Sequence, residues 1–344
     1  MHLVKWLLLA CLLITCTQRE PEGPKPEEPS TPVDEAPVPD AEEVPYEIIE
    51  IPTTRITIHQ PPLLLPGRAR GLSFQMGNQV LPPGAQLHQP LADALLTPDH
   101  DVVLCFPDHQ QIVRFNHPKY GTEIFGPAET GLQLNRPTRL ACWQDRIYIS
   151  QDNRTDIEVI NRQGVLIDHF QTGNYTNAVI GPGNHALVIQ PQQPRSLIRL
   201  NEQGKKFRSY VFFETPEHDD PIKFRSGCVA IRQDWTFEFV NLAGNRIASY
   251  REDGIIDHLF ELDTTLLGDV YAVDIEVSED RLWVMYVDFG NRLTYLMRFT
   301  HGSDSFDLFR APFFADGLSV SSRFLLLFDR EKGAAQTWAF DVVD

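Results

Sequence analysis

Along most of residues 87–344, apolar and polar positions alternate with a period of two, in short runs separated by turn-forming residues. Ile147-Tyr148-Ile149 and Ile157-Glu158-Val159-Ile160 show the pattern, which is that of half-buried strands. No long helical period interrupts it, and prolines are scattered through the region. Three runs also share a motif: an apolar run ending in Asn, two residues, Gly, then a second apolar run. The pairs are Asn161/Gly164, Asn201/Gly204 and Asn241/Gly244, with glycines 40 residues apart both times. Gly164 is expected to need a positive φ, which a residue without Cβ adopts freely.

The second unit divides into four strands, over Thr138–Gln144, Arg146–Gln151, Asp156–Asn161 and Val165–Gln171. Second strands are expected to recur at Asp101–Phe106, Arg146–Ser150, His185–Ile189, Cys228–Ile231, Arg281–Met285 and Arg323–Phe328. Marked by Val103, Ile147, Leu187, Val229, Leu282 and Leu325, the steps are 44, 40, 42, 53 and 43. A small all-β unit repeated every forty-odd residues hides its apolar faces only against neighbouring copies, which predicts a β-propeller. Six four-stranded blades are expected, with an insertion around Asp253–Asp269. The sixth stops after its third strand, so a strand from Tyr46–Ile58 or Leu72–Val80 is expected to close it and cover its edge. The alternative for residues 46–86 is a partial seventh blade.

The N-terminal region changes the picture. Lys5 and an apolar run from Trp6 to Thr15 form a secretory signal, too short to span a bilayer. Leu13-Ile14-Thr15-Cys16 resembles a bacterial lipobox and makes Cys16 the candidate for acylation. Residues 17–45 hold eight prolines and nine acids, with Arg19 and Lys25 as the only cations. Such a segment cannot bury enough apolar surface to fold and reads as an extended stalk. The expected organisation is a signal over 1–16, a disordered stalk over 17–45 and a propeller over 46–344, in which 46–86 is lead-in and 87–344 carries the repeats. The net charge of −17 argues against a nucleic-acid partner. Cys105, Cys142 and Cys228 sit in apolar runs and are expected to be buried small hydrophobes.

On the Asn161/Gly164, Asn201/Gly204 and Asn241/Gly244 units, and on Asp152-Asn153-Arg154 before a third strand, the chain resembles six-bladed β-propellers related to NHL repeats. Within them it is similar to the secreted propeller lipoproteins of bacteria. The first, fifth and sixth units depart from the motif. The resemblance implies a lipid-anchored protein of the cell envelope, facing the periplasm or the exterior, and Thr17 rather than Asp directly after Cys16 favours the outer membrane.

Loops between second and third strands are expected to share one face and to hold an envelope protein or a small polar ligand. They supply Asp108, His109, Asp152, Asn153, Arg154, Asp234, Trp235, Asp288, Arg292 and Arg330. Asp and Asn also initiate such turns through local backbone bonds, with no ligand involved. No nucleophile elbow, His-Glu-x-x-His helix, phosphate loop or EF-hand spacing is present. Glu217-His218-Asp219-Asp220, a dense run of metal-capable groups, reads as a solvated loop. The sequence therefore favours a non-catalytic binding or scaffold propeller with no cofactor and no metal. The alternative is a metal-dependent lactonase, hydrolase or lyase, with channel candidates Asp93, Asn177, Asp274, Glu276 and Asp316.

Overall fold

A computed structural model describes residues 52–66, 68–70, 74–76, 79–81, 90–116, 122–152, 154, 156–171, 178–180, 186–189, 196–201, 205–211, 227–232, 234–241, 245–300, 305–322 and 324–339. The fold is all-β, with several four- and five-stranded sheets resembling propeller blades. Three strands lead in: β1 (Thr53–Thr57), β2 (Leu63–Leu64) and β3 (Arg68–Arg70), followed by a hairpin of β4 (Phe74–Met76) and β5 (Gln79–Leu81). The first sheet is β6 (Asp93–Leu96), β7 (Val102–Phe106), β8 (Gln111–Phe115) and β9 (Thr122–Phe125). The second is β10 (Pro137–Trp143), β11 (Arg146–Gln151), β12 (Asp156–Asn161) and β13 (Leu166–Gln171). The third is β14 (Ala178–Ile180), β15 (Ala186–Ile189), β16 (Ser196–Leu200) and β17 (Lys206–Val211). The fourth holds β18 (Gly227–Ile231), β19 (Phe237–Asn241), β20 (Arg246–Tyr250) and β21 (Ile256–Asp263). The fifth holds β22 (Tyr271–Ser278), β23 (Arg281–Asp288), β24 (Leu293–Thr300) and β25 (Phe306–Arg310). The sixth has β26 (Gly317–Val320), β27 (Phe324–Asp329) and β28 (Ala334–Ala339).

The first strands are neighbours in order: β6 lies beside β10, β10 beside β14, β14 beside β18, β18 beside β22, β22 beside β26, and β26 beside β6. Between the sheets lie the cores. Leu104 and Phe115 of the first sheet pack with Leu326 and Phe328 of the sixth, while Val103 and Ile112 pack with Ile147 and Ile160 of the second. Val240 and Ile247 of the fourth meet Val284 and Met297 of the fifth. The first sheet is thus apolar on both faces, as a sheet packed between two others must be.

The Asn-x-x-Gly motif has a local cause. Asn161 Oδ1 accepts from the backbone N–H of Gln163 (2.9 Å) and Val165 (3.0 Å), and Gly164 adopts φ 72°. A Cβ on Gly164 would lie 2.1 Å from a carbon of the Phe125 ring. The expected positive φ is present. Asn201 Oδ1 makes the matching bond to Lys205 N (2.9 Å).

The third copy of the motif is not equivalent. In the fourth sheet the corresponding turn is Arg251–Gly254, where Gly254 has φ 85° and Gly254 N donates to Arg251 O (2.9 Å), as Gly164 N does to Asn161 O (3.0 Å). Asn241 ends β19, which is a second strand rather than the expected third, and Cys228–Ile231 is a first strand rather than a second. The long step therefore falls between the third and fourth sheets, not at Asp253–Asp269, which holds β21 and a 3-10 turn at Thr265–Leu267. Spacing located the repeat but not its phase, because every strand of such a sheet is short and apolar.

The strand that pairs with β28 is β3, antiparallel, from neither of the two stretches expected to supply it. β1 and β2 instead add parallel fifth strands to β21 and β25. The described strands of residues 46–86 are thus shared among three sheets and one hairpin rather than gathered into a seventh blade. Added outer strands occupy backbone groups that an edge otherwise leaves exposed.

Candidate functional site

The expected ring of loop residues divides between two ends of the sheets. Asp108, His109, Asp152, Arg154, Asp288, Arg292 and Arg330 lie in or beside second-to-third turns, whereas Asp234 and Trp235 lie in the β18–β19 turn, a first-to-second turn. Arg232, opening that turn, donates to the carbonyl of Glu279 in the β22–β23 turn (3.4 Å), which fixes the end it occupies. Asn153 and Cys16 lie outside the described residues, as do Asn177 and the Glu217–Asp220 run.

Most of the named residues are engaged locally. Asp288, buried, accepts from Asn291 N (2.9 Å) and Nδ2 (2.7 Å), and Asp234 accepts from Thr236 N (3.0 Å) and Oγ1 (2.7 Å). Both act as turn formers. Trp235 is buried with φ 65°, under the Arg199 guanidinium at 3.5 Å. Arg154 grips Asp156 (2.9 and 2.5 Å), and Arg292 pairs with Asp329 (3.0 Å) and Glu331 (3.2 Å) while lying over the Phe314 ring. Asp108 and Asp152 share Arg136 at 3.7 and 3.8 Å, a link residue absent from the expected set. His109 is exposed.

Arg330 is different. It reaches from the β27–β28 turn toward the first strands, where Nε donates to Ala92 O (3.0 Å) and Nη1 to Asp316 O. Its nitrogens stand 4.0 Å from Asp93, 3.8 Å from Asp274 and 3.7 Å from Asp316. Asp93 and Asp274 also tie one sheet to the next. Asp93 Oδ2 accepts from Leu140 N (2.8 Å) and Asp274 Oδ2 from Leu318 N (3.0 Å), so each carboxylate satisfies a backbone donor on the adjacent first strand.

Beside this cluster lies a cavity of about 440 Å³, lined by the first strands β6, β10, β18, β22 and β26. At its charged end are Asp93, Arg139, Asp274, Glu276 and Cys228. It continues past Ala141, Val229 and Ile231 to Trp143 and to first-to-second turns at Pro98, Glu279 and Ser321. None of its described lining residues comes from a second-to-third turn. The ionisable groups are shifted by their surroundings. Burial, partly offset by Arg330 and Arg139, pushes the Asp93 carboxyl up to about 6. Burial, together with Asp274 and Asp93, raises Glu276 well above its ordinary value, which favours its uncharged form. Burial also pushes the Cys228 thiol up to about 12, which makes it a poor nucleophile.

These donors do not fit a divalent cation. Asp93 and Asp274 are committed to backbone N–H groups and stand by Arg330, burial favours the uncharged form of Glu276, and Arg139 adds a positive charge. Among the described residues no group of three or more His, Cys, Asp or Glu is arranged to hold a metal. The channel candidates Asp93, Asp274 and Glu276 are thus brought together as the sequence suggested, with Asp316 behind Arg330, but not in a metal site. Arg139 was missed. Its one trace in the sequence is a lone cation in the apolar strand Leu140-Ala141-Cys142-Trp143.

Neither a protein-family model nor a curated protein matches the sequence. Solved structures do share the fold. A putative exported protein from Bacteroides fragilis is similar at TM-score 0.54 and 9% identity, over 84% of this chain and 99% of that one. Regucalcin from Agrobacterium tumefaciens, described as calcium-binding, is similar at TM-score 0.51 and 10% identity, over 80% and 95%. Virginiamycin B lyase from Staphylococcus aureus is similar at TM-score 0.49 and 12% identity, over 79% and 98%. The chain is thus structurally similar to proteins of the β-propeller class.

One expectation is corrected here. The missing catalytic motifs favoured a non-catalytic scaffold, yet the first strands bring Asp93, Arg139, Asp274 and Glu276 from separate sheets to the wall of one cavity. A propeller assembles its chemistry from separate blades, so the absence of a contiguous motif does not argue against catalysis. The expected preference for the loop face over the cavity loses its basis with it.

Proposed function

We propose that the protein is a closed six-bladed β-propeller enzyme, of the hydrolase or lyase type, whose reaction takes place in the central cavity. The ring closure is supported by the cyclic order of first strands and by β3 pairing with β28. The observation that carries the catalytic reading is the meeting of two carboxyls, Asp93 and Glu276, with Arg139 on the wall of one cavity, where burial raises both carboxyls and Asp93 to about 6. A carboxyl poised near neutrality exchanges protons efficiently, and two carboxyls held at different acidities can act as base and acid. In this reading Asp93 removes a proton from the substrate or from water, Glu276 donates one to the leaving group, and Arg139 orients the substrate.

The test is turnover by the full chain on small esters, lactones and elimination substrates, followed by Asp93→Asn and Glu276→Gln. Asp93→Asn keeps an acceptor for Leu140 N, so lost turnover with retained folding supports the assignment. Turnover unaffected by both substitutions would sink it, as would no turnover on any of the three classes.

The cellular setting is proposed on the N-terminal sequence alone. Cys16 is acylated, residues 17–45 act as a tether, and the domain is held at the bacterial envelope, at the outer membrane, as an NHL-related propeller lipoprotein that meets a small polar ligand and no nucleic acid. Metabolic labelling with an alkynyl fatty acid checks this: wild type is labelled, and Cys16→Ser is not.

A further inference from the structure

The charged end of the cavity is unsuited to any further charge. Arg330 is held by two carbonyls and three carboxylates. Burial works against the charge on Arg139, but Asp93 and Asp274 more than offset it. The same two carboxylates accept the backbone N–H groups of Leu140 and Leu318. An added anion would therefore stand beside Asp93 and Asp274, and an added cation beside Arg139 and Arg330. Away from water, either meets like charge with no partner of its own.

The walls differ instead in polarity. Ala141 and Trp143 on β10, with Val229 and Ile231 on β18, are half-buried apolar residues of the lining. In the order of first strands β22 stands third from β10 in either direction, which sets these two strands opposite each other. Glu276 and Ser278 lie two apart on β22, hence on one side of the strand. Both are half-buried lining residues, and among the described residues neither side chain is hydrogen-bonded. By contrast Ser319 and Ser321 on the neighbouring wall accept from Leu96 N (3.0 Å) and Phe324 N (3.1 Å). A carboxyl in its uncharged form sets an O–H donor beside a carbonyl acceptor. An amide presents the complement, an acceptor oxygen beside an N–H, and closes two parallel hydrogen bonds with it.

We propose that the cavity binds an uncharged amphipathic carboxamide, its amide group on Glu276 and its apolar part toward Ala141, Trp143, Val229 and Ile231. This deepens the cavity reading by naming the ligand class, and it rests on that reading only in taking the cavity as the ligand site. Burial, with Asp274 and Asp93 alongside, favours the uncharged form of Glu276 that the pairing uses. One apolar wall facing a few convergent polar groups is the ordinary composition of a small-molecule site, in which the polar groups fix orientation.

The experiment is calorimetric titration of the full chain, at neutral pH, with 3-phenylpropanamide and three analogues: 3-phenylpropanoate, 3-phenylpropylammonium and methyl 3-phenylpropanoate. The amide is expected to bind about tenfold or more tightly than either ion, and more tightly than the ester, which has no N–H to donate. Glu276→Leu should lose about tenfold or more for the amide, whereas Glu276→Gln, uncharged and still able to donate and accept, should lose only about threefold or less. Any of the three analogues binding wild type as tightly as the amide would overturn the proposal, independently of how any variant folds. So would no binding of the amide, or amide affinity unchanged in Glu276→Leu. Selective amide binding without turnover on any substrate would leave this inference standing and remove the enzymatic one, whereas turnover without preference for the amide would do the reverse.

Discussion

The turns that carry second strands into third strands are rich in charge, and almost all of it is spent within the protein. Arg154, Arg292 and Arg330 are each held by carboxylates, and Asp288 is consumed by its own turn. The cavity beside them holds fewer charged groups, but burial shifts them: the Asp93 carboxyl rises to about 6, Glu276 rises well above its ordinary value, and Asp93 and Asp274 hold Arg139 charged despite its burial. Functional groups are marked less by abundance of charge than by acidities that the fold displaces from their ordinary values.

The sharpest way to break this comparison is to delete each arginine. Arg330→Met strands three carboxylates and two backbone carbonyls. Removing one partner of a buried charged cluster costs about 3–5 kcal/mol. Arg330 keeps 31% of its side chain exposed, which puts the loss near the lower end, at about 3 kcal/mol in urea unfolding. Arg139→Met removes a cation that Asp93 and Asp274 stabilise without a direct hydrogen bond. It should cost less, about 1 kcal/mol, since no charge-assisted hydrogen bond is broken. Equal losses in the two variants would end the distinction between an arginine bound by contact and one held by the surrounding field.

Acidity offers a second test. Asp93 is raised from its ordinary value to about 6, so between roughly pH 4 and 6 the folded form binds a proton that the unfolded chain releases. Its contribution to stability is full below the unfolded value and is lost as pH rises through about 6. At 1.36 kcal/mol per unit the loss reaches up to about 3 kcal/mol. The groups facing Asp93 are Arg330, Arg139, Asp274, Glu276 and the Cys105 thiol. Of these, the arginines stay charged and the thiol stays protonated across that window. Unfolding measured from pH 7 to pH 5 should show wild type gaining stability relative to Asp93→Asn. Parallel curves would mean that Asp93 titrates as an ordinary surface carboxylate.

Much of the fold could be read from the residues, and little of the site. Alternation in Ile157-Glu158-Val159-Ile160 and the Asn161/Gly164 turn identify short strands and their joint, because these depend on neighbours in sequence. The phase of the fourth sheet could not be read, since Cys228–Ile231 is as apolar as any second strand and only its contact with β22 makes it a first. That one-strand slip carried Asp234 and Trp235 to the opposite end of the sheets. Asp93, Asp274 and Glu276 were recognisable as channel residues from their place on first strands. Arg139 was not, because its place beside Asp93 and Asp274 is set by the packing of separate sheets rather than by its neighbours in the chain.

The smallest effect concerns Asp108 and Asp152, which share Arg136 at 3.7 and 3.8 Å with all three side chains well exposed. Exposed ion pairs contribute at most about 1 kcal/mol and often nothing measurable. Asp108→Ala and Asp152→Ala should each shift stability by less than about 0.5 kcal/mol, and by less still at high salt. Neither should alter turnover in the cavity, from which both are absent as lining residues. A tenfold loss of turnover on either substitution would return the reaction to the turns at the other end. Unchanged turnover in both, with turnover lost in Asp93→Asn, would assign the chemistry to the cavity and leave the crowded turns a structural role.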